Sequence, residues 1–227
     1  MIEISEYPGV YAELRERVAD LVTRASPEQL ATRAPAAPAW TVHDVLAHIV
    51  GVTADVLNGN IEGVATDPWT QAQVDARRDA SAADLIEEWQ ENAPRIEPII
   101  PSFGGVAGQF IFDATTHEHD IRGALRAPGE RDSDAVTVSF EWMGQFVAAA
   151  RSERGAGALR LDTDAGSTQY GDGDPTATVA TSRFEVVRAA TGRRSSAQID
   201  AWRWQGDAHA DLMVLAIFEP RPDDLVE

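Results

Sequence analysis

Asp113 and His117 are spaced so that both side chains can bind one metal ion. They lie four residues apart in residues 112–122, a stretch that we predict to be helical. Residues four apart share one face of an α-helix, so a carboxylate oxygen and an imidazole nitrogen can meet at one point. Zinc, nickel and similar ions accept both kinds of ligand atom. The pair therefore predicts two of the three protein ligands that a catalytic metal site needs.

The third ligand has to come from another part of the chain, and His48 is the best candidate. It lies on an earlier stretch of helical apolar periodicity that begins after Trp40. Asp44 precedes His48 by one helical turn and is a rival ligand. However, Thr41 and Asp44 form an acidic variant of the capping box, so we assign Asp44 to the helix start. His43 lies on a different face and is predicted to be solvated.

An arrangement without metal is the alternative interpretation. In that case His48 is a core histidine bonded to a backbone carbonyl, and Asp113 and His117 form a surface pair. Short patterns of His and Asp recur by chance, so spacing alone favours this alternative. The metal site requires that His48 lies beside Asp113 and His117 in the fold.

The neighbours of His117 have roles of their own. Asp120 is predicted to accept a hydrogen bond that orients an imidazole. His119 points away from His117 and is assigned to a contact between helices or domains. Glu118 and Arg122, four residues apart, are predicted to form a pair that contributes little stability.

Composition excludes several classes of function. The chain has 227 residues and a net charge of −18, with 37 acidic against 19 basic residues, which argues against nucleic-acid binding. All 19 basic residues are arginine, so no lysine can form a Schiff base. Cysteine is absent, which rules out disulfides and thiolate ligands of the protein's own. No membrane span or signal peptide is predicted, and the expected location is cytoplasmic.

Periodicity and turn signals predict an α+β fold in two domains. Helices are predicted at about 8–25, 27–30, 41–62, 68–78, 81–96, 106–125, 133–151, 182–190 and 212–218, with strands in 157–181 and 201–205. We therefore expect a helical domain over residues 1–153 and a small α+β domain over 154–227. A bundle core is a place where facing helices bring ligands together.

Four stretches of the sequence resemble one known family. Residues 40–49 and 113–122 resemble the N-terminal domain of the mycothiol-dependent maleylpyruvate isomerase family, within the DinB-like helical superfamily. Residues 191–195 and 204–207 resemble the recurring end of those proteins, so the resemblance spans nearly the whole chain. It implies a DinB-like four-helix bundle followed by a small sterol-carrier-like α+β domain.

The resemblance also implies a divalent metal, usually zinc, on a His/carboxylate/His triad. His48 and His117 match the two histidines. The isomerase itself has glutamate where this chain has Asp113, although many relatives also carry aspartate. The shorter side chain shifts the metal position and leaves the identity of the substrate open. With the resemblance counted, the metal site is favoured over the alternative without metal.

The implied activity is that of a mycothiol-dependent isomerase or S-transferase. The metal would lower the pKa of the thiol, of mycothiol or a similar small molecule, which then attacks a small electrophilic substrate. An arginine of the second domain, Arg193 or Arg183, is expected to bind a substrate carboxylate by a fork of hydrogen bonds. A metal-dependent hydrolase and a non-catalytic ligand- or partner-binding protein are the alternatives. The expected partners are small molecules, with no nucleic acid or membrane, and the chain is a monomer or a homodimer.

Overall fold

Helices and a small mixed sheet form the chain. A computed structural model describes residues 1–153, 155, 157–206, 213 and 218–227. Its α-helices are α1 (Tyr7–Thr23), α2 (Pro27–Leu30), α3 (Val42–Asn58), α4 (Asp67–Ala76), α5 (Ala82–Ile96), α6 (Ala107–Leu125), α7 (Asp134–Glu153), α8 (Arg183–Ala190) and α9 (Ser196–Asp200). Its strands are β1 (Arg33–Ala34), β2 (Ala37–Thr41), β3 (Ala158–Thr163), β4 (Gly166–Tyr170), β5 (Pro175–Ala180) and β6 (Arg203–Gly206).

The predicted α+β class is confirmed. The last predicted helix, at about 212–218, falls on a stretch of which the structure describes only residues 213 and 218. Within the described part of the chain, no helix has both the length and the hydropathy that crossing a bilayer would require.

Helices α3, α5 and α8 begin at cap residues that the sequence places there. The side-chain oxygens of Thr41, Ser81 and Ser182 each accept a hydrogen bond from the backbone N–H three residues later. Such a bond satisfies one of the four N–H groups that a helix start leaves without a partner. The start of α3 is thereby fixed by local sequence, and the position of His48 along the helix follows from it.

Helices α1, α3, α5 and α6 form the four-helix bundle that was predicted. α3 packs against α5 and α6, and α1 packs against the same two helices. Apolar residues at helical spacing make the contacts, and Leu14, Leu46, Leu85 and Ile111 are fully buried. Burial of each such side chain contributes about 1.5–3 kcal/mol. The packing brings α3 and α6, which carry the candidate ligands, side by side.

A buried hydrogen-bond chain fixes the rotation of α3 within this bundle. The hydroxyl groups of Tyr11 and Thr53 are 2.8 Å apart, and Trp89 Nε1 donates to the Tyr11 oxygen at 2.9 Å. The three residues come from α1, α3 and α5. Burial raises the pKa of the Tyr11 hydroxyl far above its ordinary value, so the group stays neutral. Because all three polar groups have hydrogen-bond partners, these bonds connect the helices without leaving a buried polar group unsatisfied.

Glu118 is the centre of a buried ion-pair cluster. Its side chain is fully buried and accepts hydrogen bonds from Arg17 at 3.0 Å and 3.0 Å and from Arg122 at 3.0 Å and 2.9 Å. The prediction that Glu118 and Arg122 form a pair is correct. The prediction that the pair contributes little stability assumed that it is solvated, and the structure buries it. That estimate holds for solvated pairs, whereas breaking a buried pair strongly destabilises a protein.

The second compact unit contains the four-stranded sheet, whereas β1 and β2 pair with each other in the first unit. The strand order of the four-stranded sheet is β4-β3-β5-β6, with β3 and β5 parallel and the two outer pairs antiparallel. Helix α7 packs against α8 and β4. The described chain divides into one unit of residues 2–129 with residue 227 and another of 130–226 with residue 1. Contacts therefore group α7 with the sheet, while the expected domain boundary after residue 153 stays a prediction.

Candidate metal centre

His48, Asp113 and His117 converge where α3 lies beside α6. One ligand atom from each residue lies within 4.8 Å of the other two. Asp113 Oδ1 is 3.6 Å from His48 Nε2 and 3.7 Å from His117 Nε2. The two imidazole rings are 4.7 Å apart, nearly perpendicular to each other. The fold thus joins the local pair on α6 to the distant histidine on α3.

His48 is oriented by a side-chain relay. Its Nδ1 is 2.7 Å from Gln73 Oε1, and Gln73 Nε2 donates to Asp55 at 2.8 Å. A carboxylate can only accept, so the Gln73 amide nitrogen must face Asp55 and its oxygen must face His48. His48 Nδ1 therefore carries the proton, and the lone pair of Nε2 points towards Asp113. The alternative, a bond from His48 to a backbone carbonyl, is not what the structure has.

His117 is held in the same tautomer. Its Nδ1 is 3.1 Å from Asp120 Oδ2, so Asp120 accepts the hydrogen bond that the sequence predicted. Burial is the largest influence on the imidazole and lowers the pKa of His117, although the hydrogen bond to Asp120 opposes this effect. A lowered pKa keeps the ring neutral near neutral pH, which is the form that binds metals.

The three converging atoms suit a cation. In the tautomers that the bonds to Gln73 and Asp120 favour, two imidazole lone pairs and a carboxylate oxygen face one another. Bonds of about 2.0–2.1 Å to a tetrahedral zinc ion place ligand atoms roughly 3.3 Å apart, close to the two measured separations. The third separation, between the two histidine ligand atoms, is within 4.8 Å. The residues therefore fit a divalent metal with three protein ligands.

The triad has one closed side and one open side. The Trp40 ring packs against both imidazoles, with ring centroids 5.0 Å from His48 and 5.9 Å from His117. The Asp113 side chain is 35% exposed, whereas the His48 side chain is only 2% exposed. His48 and Asp113 also line a cavity of about 470 Å³ within the helical unit. A molecule in that cavity can reach the point where the ligand atoms meet.

The rival residues lie elsewhere. Asp44 Oδ2 accepts from the backbone and hydroxyl groups of Thr41, so its carboxylate serves the helix start as predicted. The prediction that His43 is solvated is wrong, because its Nε2 is 2.8 Å from the carbonyl oxygen of Ala80. The imidazole can donate a hydrogen bond to that backbone carbonyl.

Sequence reasoning missed Gln73 and the close helix approach that places it. A Cβ atom at Gly51 would lie 2.5 Å from Gln73 Cβ, closer than two carbon atoms can pack. Gly51, on α3, thus lets α4 come close enough for Gln73 to reach His48. A glycine inside an apolar helix is a signal of such an approach, but it does not reveal which residue approaches.

Gln73→Met is expected to lower zinc affinity about 10–100-fold, the usual effect of losing a partner that orients a metal-binding histidine. Methionine has a similar size but cannot accept from His48 Nδ1, so the ring loses its fixed tautomer. Competition titration of the zinc-free protein with a chromophoric chelator measures this affinity. Gln71→Met is the matched control, since Gln71 is an exposed residue of the same helix. Equal affinities in the two variants would show that the relay does not support the site.

The two predicted arginines lie in the second unit. The Arg183 guanidinium is bonded to Asp164 at 3.1 Å and 2.9 Å and to the Thr137 hydroxyl. Arg193 donates to the Thr191 carbonyl at 2.7 Å. Arg183 is thus engaged in an ion pair that a substrate carboxylate would have to replace. The roles of both residues in substrate binding stay predictions.

The fold and the site define a class: an α+β protein whose helical bundle carries two histidines and an aspartate arranged as metal ligands. Residues 11–99 match the family model of the mycothiol maleylpyruvate isomerase N-terminal domain. The family resemblance found in the sequence is thereby confirmed.

Two solved structures share the fold over most of the chain. A crystal structure of the mycothiol-dependent maleylpyruvate isomerase matches with a TM-score of 0.58, and that of a histidine-to-alanine variant matches with a TM-score of 0.59. Each is 13% identical and covers 92% of this chain and 96% of its own. At that identity the likeness establishes the fold. No curated protein matches the chain at a significant level.

Proposed function

We propose that the protein is a metal-dependent enzyme that uses mycothiol, or a similar small thiol, either to isomerise a small electrophile or to join the thiol to it through a carbon–sulfur bond. The observation that carries this proposal is the triad at the wall of a cavity, with one partly exposed ligand, Asp113. Three protein ligands leave a coordination position for another molecule, which is the arrangement of catalytic rather than structural sites. The family match over the N-terminal domain supports the choice of a thiol.

His48, Asp113 and His117 would hold the ion, with zinc as the expected metal and nickel as the alternative. A divalent ion bound there lowers the pKa of a thiol and so supplies a thiolate nucleophile at neutral pH. The protein's own residues would keep both imidazoles neutral and oriented, through Gln73 and Asp120. Trp40 covers the rings on one side, which limits the approach of reactants to the cavity.

The two forms of the reaction differ in the fate of the thiol. In the isomerase, sulfur adds to one carbon of a conjugated double bond, the resulting single bond rotates, and elimination breaks the carbon–sulfur bond again. The thiol is recovered unchanged. In the transferase, the carbon–sulfur bond persists and one thiol is consumed for each product. The protein has no cysteine that could supply the sulfur, so an external thiol is required in either case.

A thiol-dependence assay tests the proposal. The zinc-loaded protein is incubated with mycothiol and either maleylpyruvate or an unsaturated electrophile, while NMR follows the product and a thiol reagent follows free sulfhydryl. We expect turnover to fall at least roughly a hundredfold when the thiol is omitted or Asp113 is replaced by alanine, as is usual when an activated nucleophile is lost. Asp67→Ala, in an exposed position at the start of α4, is the control.

The alternatives give different results in the same assay. Turnover that is unchanged without thiol identifies a hydrolase that uses water. Absence of turnover with every thiol and electrophile, in protein that has bound zinc, would leave the non-catalytic interpretation. A reaction that uses a reduced thiol suits a reducing compartment, so we also propose a cytoplasmic location.

A further inference from the structure

Three exposed apolar side chains gather around the cavity beside the triad. Ile61, Val64 and Val106 are 56%, 49% and 58% exposed, and all three line this cavity. Large apolar residues exposed singly are ordinary, but a group around a concavity marks a binding site. These side chains therefore influence which molecule binds in the cavity, whereas the metal ligands alone do not determine it.

The segment that carries two of these side chains has a defined conformation. Between α3 and α4, the backbone N–H of Val64 donates to the Ile61 carbonyl at 3.2 Å. Trp69, which lines the cavity as well, donates from Nε1 to the Asn60 carbonyl at 3.0 Å. These bonds tie the segment to α4. The apolar side chains are therefore held at the mouth of the cavity in a fixed turn.

The interior of the cavity is apolar and offers few hydrogen bonds. Val52, Val56, Phe103 and Phe110 continue the wall inwards from the mouth. Among the described residues that line it, none is an arginine, and Asp113 is the only carboxylate. Apart from the triad residues, the described polar side chains that line the cavity are Thr70, Gln109 and the indole of Trp69, which is already bonded to Asn60. A second negative charge placed there would lose its hydration without gaining a cationic side chain as a partner. A sugar-bearing thiol would likewise leave most of its hydroxyl groups unsatisfied there.

We propose that the cavity binds the uncharged hydrocarbon part of the electrophile, so that the substrates are apolar alkyl or aryl electrophiles rather than dicarboxylates. That these ligands react with a thiol rests on the proposed function. The preference of the cavity for uncharged ligands can be measured without any turnover. This apolar substrate class differs from the carboxylate-bearing substrate expected from the sequence. A volume of about 470 Å³ lies within the range of small-molecule sites, so a medium-length alkyl chain or a substituted ring fits.

Displacement of an uncharged fluorescent probe tests the inference. N-phenyl-1-naphthylamine brightens in apolar surroundings and is titrated into the full-length protein, with and without added zinc. Methyl octanoate and octanedioate, which have acyl chains of equal length, then compete for the site. We expect methyl octanoate to displace the probe at a concentration at least tenfold below that of octanedioate.

Variants at the mouth show whether the probe occupies this cavity. Ile61→Asp and Val106→Asp, both at exposed positions, are each expected to weaken probe binding at least fivefold. Ile99→Asp is the matched control, because Ile99 is 39% exposed in the same unit but does not line the cavity, and its effect should stay within twofold. Octanedioate that competes as well as the ester would overturn the inference. So would mouth variants that bind the probe as tightly as Ile99→Asp.

The proposed function and this inference can fail separately. Probe binding with the expected preference, in a protein without thiol-dependent turnover, supports the apolar site and overturns the proposed chemistry. Thiol-dependent turnover that favours a dicarboxylate, with Ile61→Asp as active as Ile99→Asp, supports the chemistry and overturns the inference.

Discussion

His48→Ala and His117→Ala are each expected to reduce bound metal from about one ion per chain to near zero. Each variant leaves two protein ligands, fewer than the three that catalytic zinc sites use. The loss should exceed the roughly 10–100-fold that removal of an orienting partner causes. Elemental analysis of protein purified without a metal-binding tag gives the metal content, and a zinc titration gives the affinity.

The control for this experiment is His43→Ala. His43 is also partly buried and on α3, but its Nε2 contacts the Ala80 carbonyl rather than the triad. It removes the same side chain without touching the proposed ligands, so its metal content should match the unsubstituted protein. If the unsubstituted protein takes up no zinc or nickel, or if both triad variants retain stoichiometric metal, the metal site and the enzyme proposed from it are wrong.

Glu118→Gln is expected to destabilise the helical unit by about 3–5 kcal/mol, because it removes the charge that two guanidinium groups share in a buried position. Glu118 accepts four hydrogen bonds, two from Arg17 and two from Arg122. Against a total stability of roughly 5–15 kcal/mol, that loss is large. The corresponding fall in melting temperature is roughly 6–20 °C for a protein of this size.

Circular dichroism at a helical wavelength measures this transition on heating. Because the chain has two compact units, the comparison rests on the shift in the helical transition rather than on one global free energy. Glu87→Gln, at an exposed position on α5, is the control and should move the transition by less than about 2 °C, as is usual for surface substitutions. If Glu118→Gln has the same helical transition temperature as the control, the cluster contributes no more stability than a solvated ion pair.

Local features of this chain were readable from the sequence because they depend on neighbours along one element. The caps Thr41 and Ser81, the helical spacing of the apolar residues and the pairing of His117 with Asp120 all follow from helix geometry. The predicted strands near residues 158–180 also follow from alternation and turn residues. These parts of the prediction needed no knowledge of how the helices pack.

Contacts between elements were predicted less well. The exposure of His43 was misjudged and the burial of the Glu118 pair was not foreseen, because burial depends on which helix covers a residue. The same reason explains why Gln73 went unnoticed as a partner of His48. Helix α7 packs against α8 and β4, partners that periodicity along the chain does not reveal.

The sequence by itself determined that Asp113 and His117 share one helical face, since spacing within a helix is fixed by its pitch. It also determined that any nucleophilic sulfur must come from outside, since the chain has no cysteine. Only the tertiary structure decided that His48 lies beside this pair, that Gln73 bonds to it and that an apolar cavity opens beside it. Those relations join residues far apart in the chain, and the packing of α3 against α4 and α6 creates them.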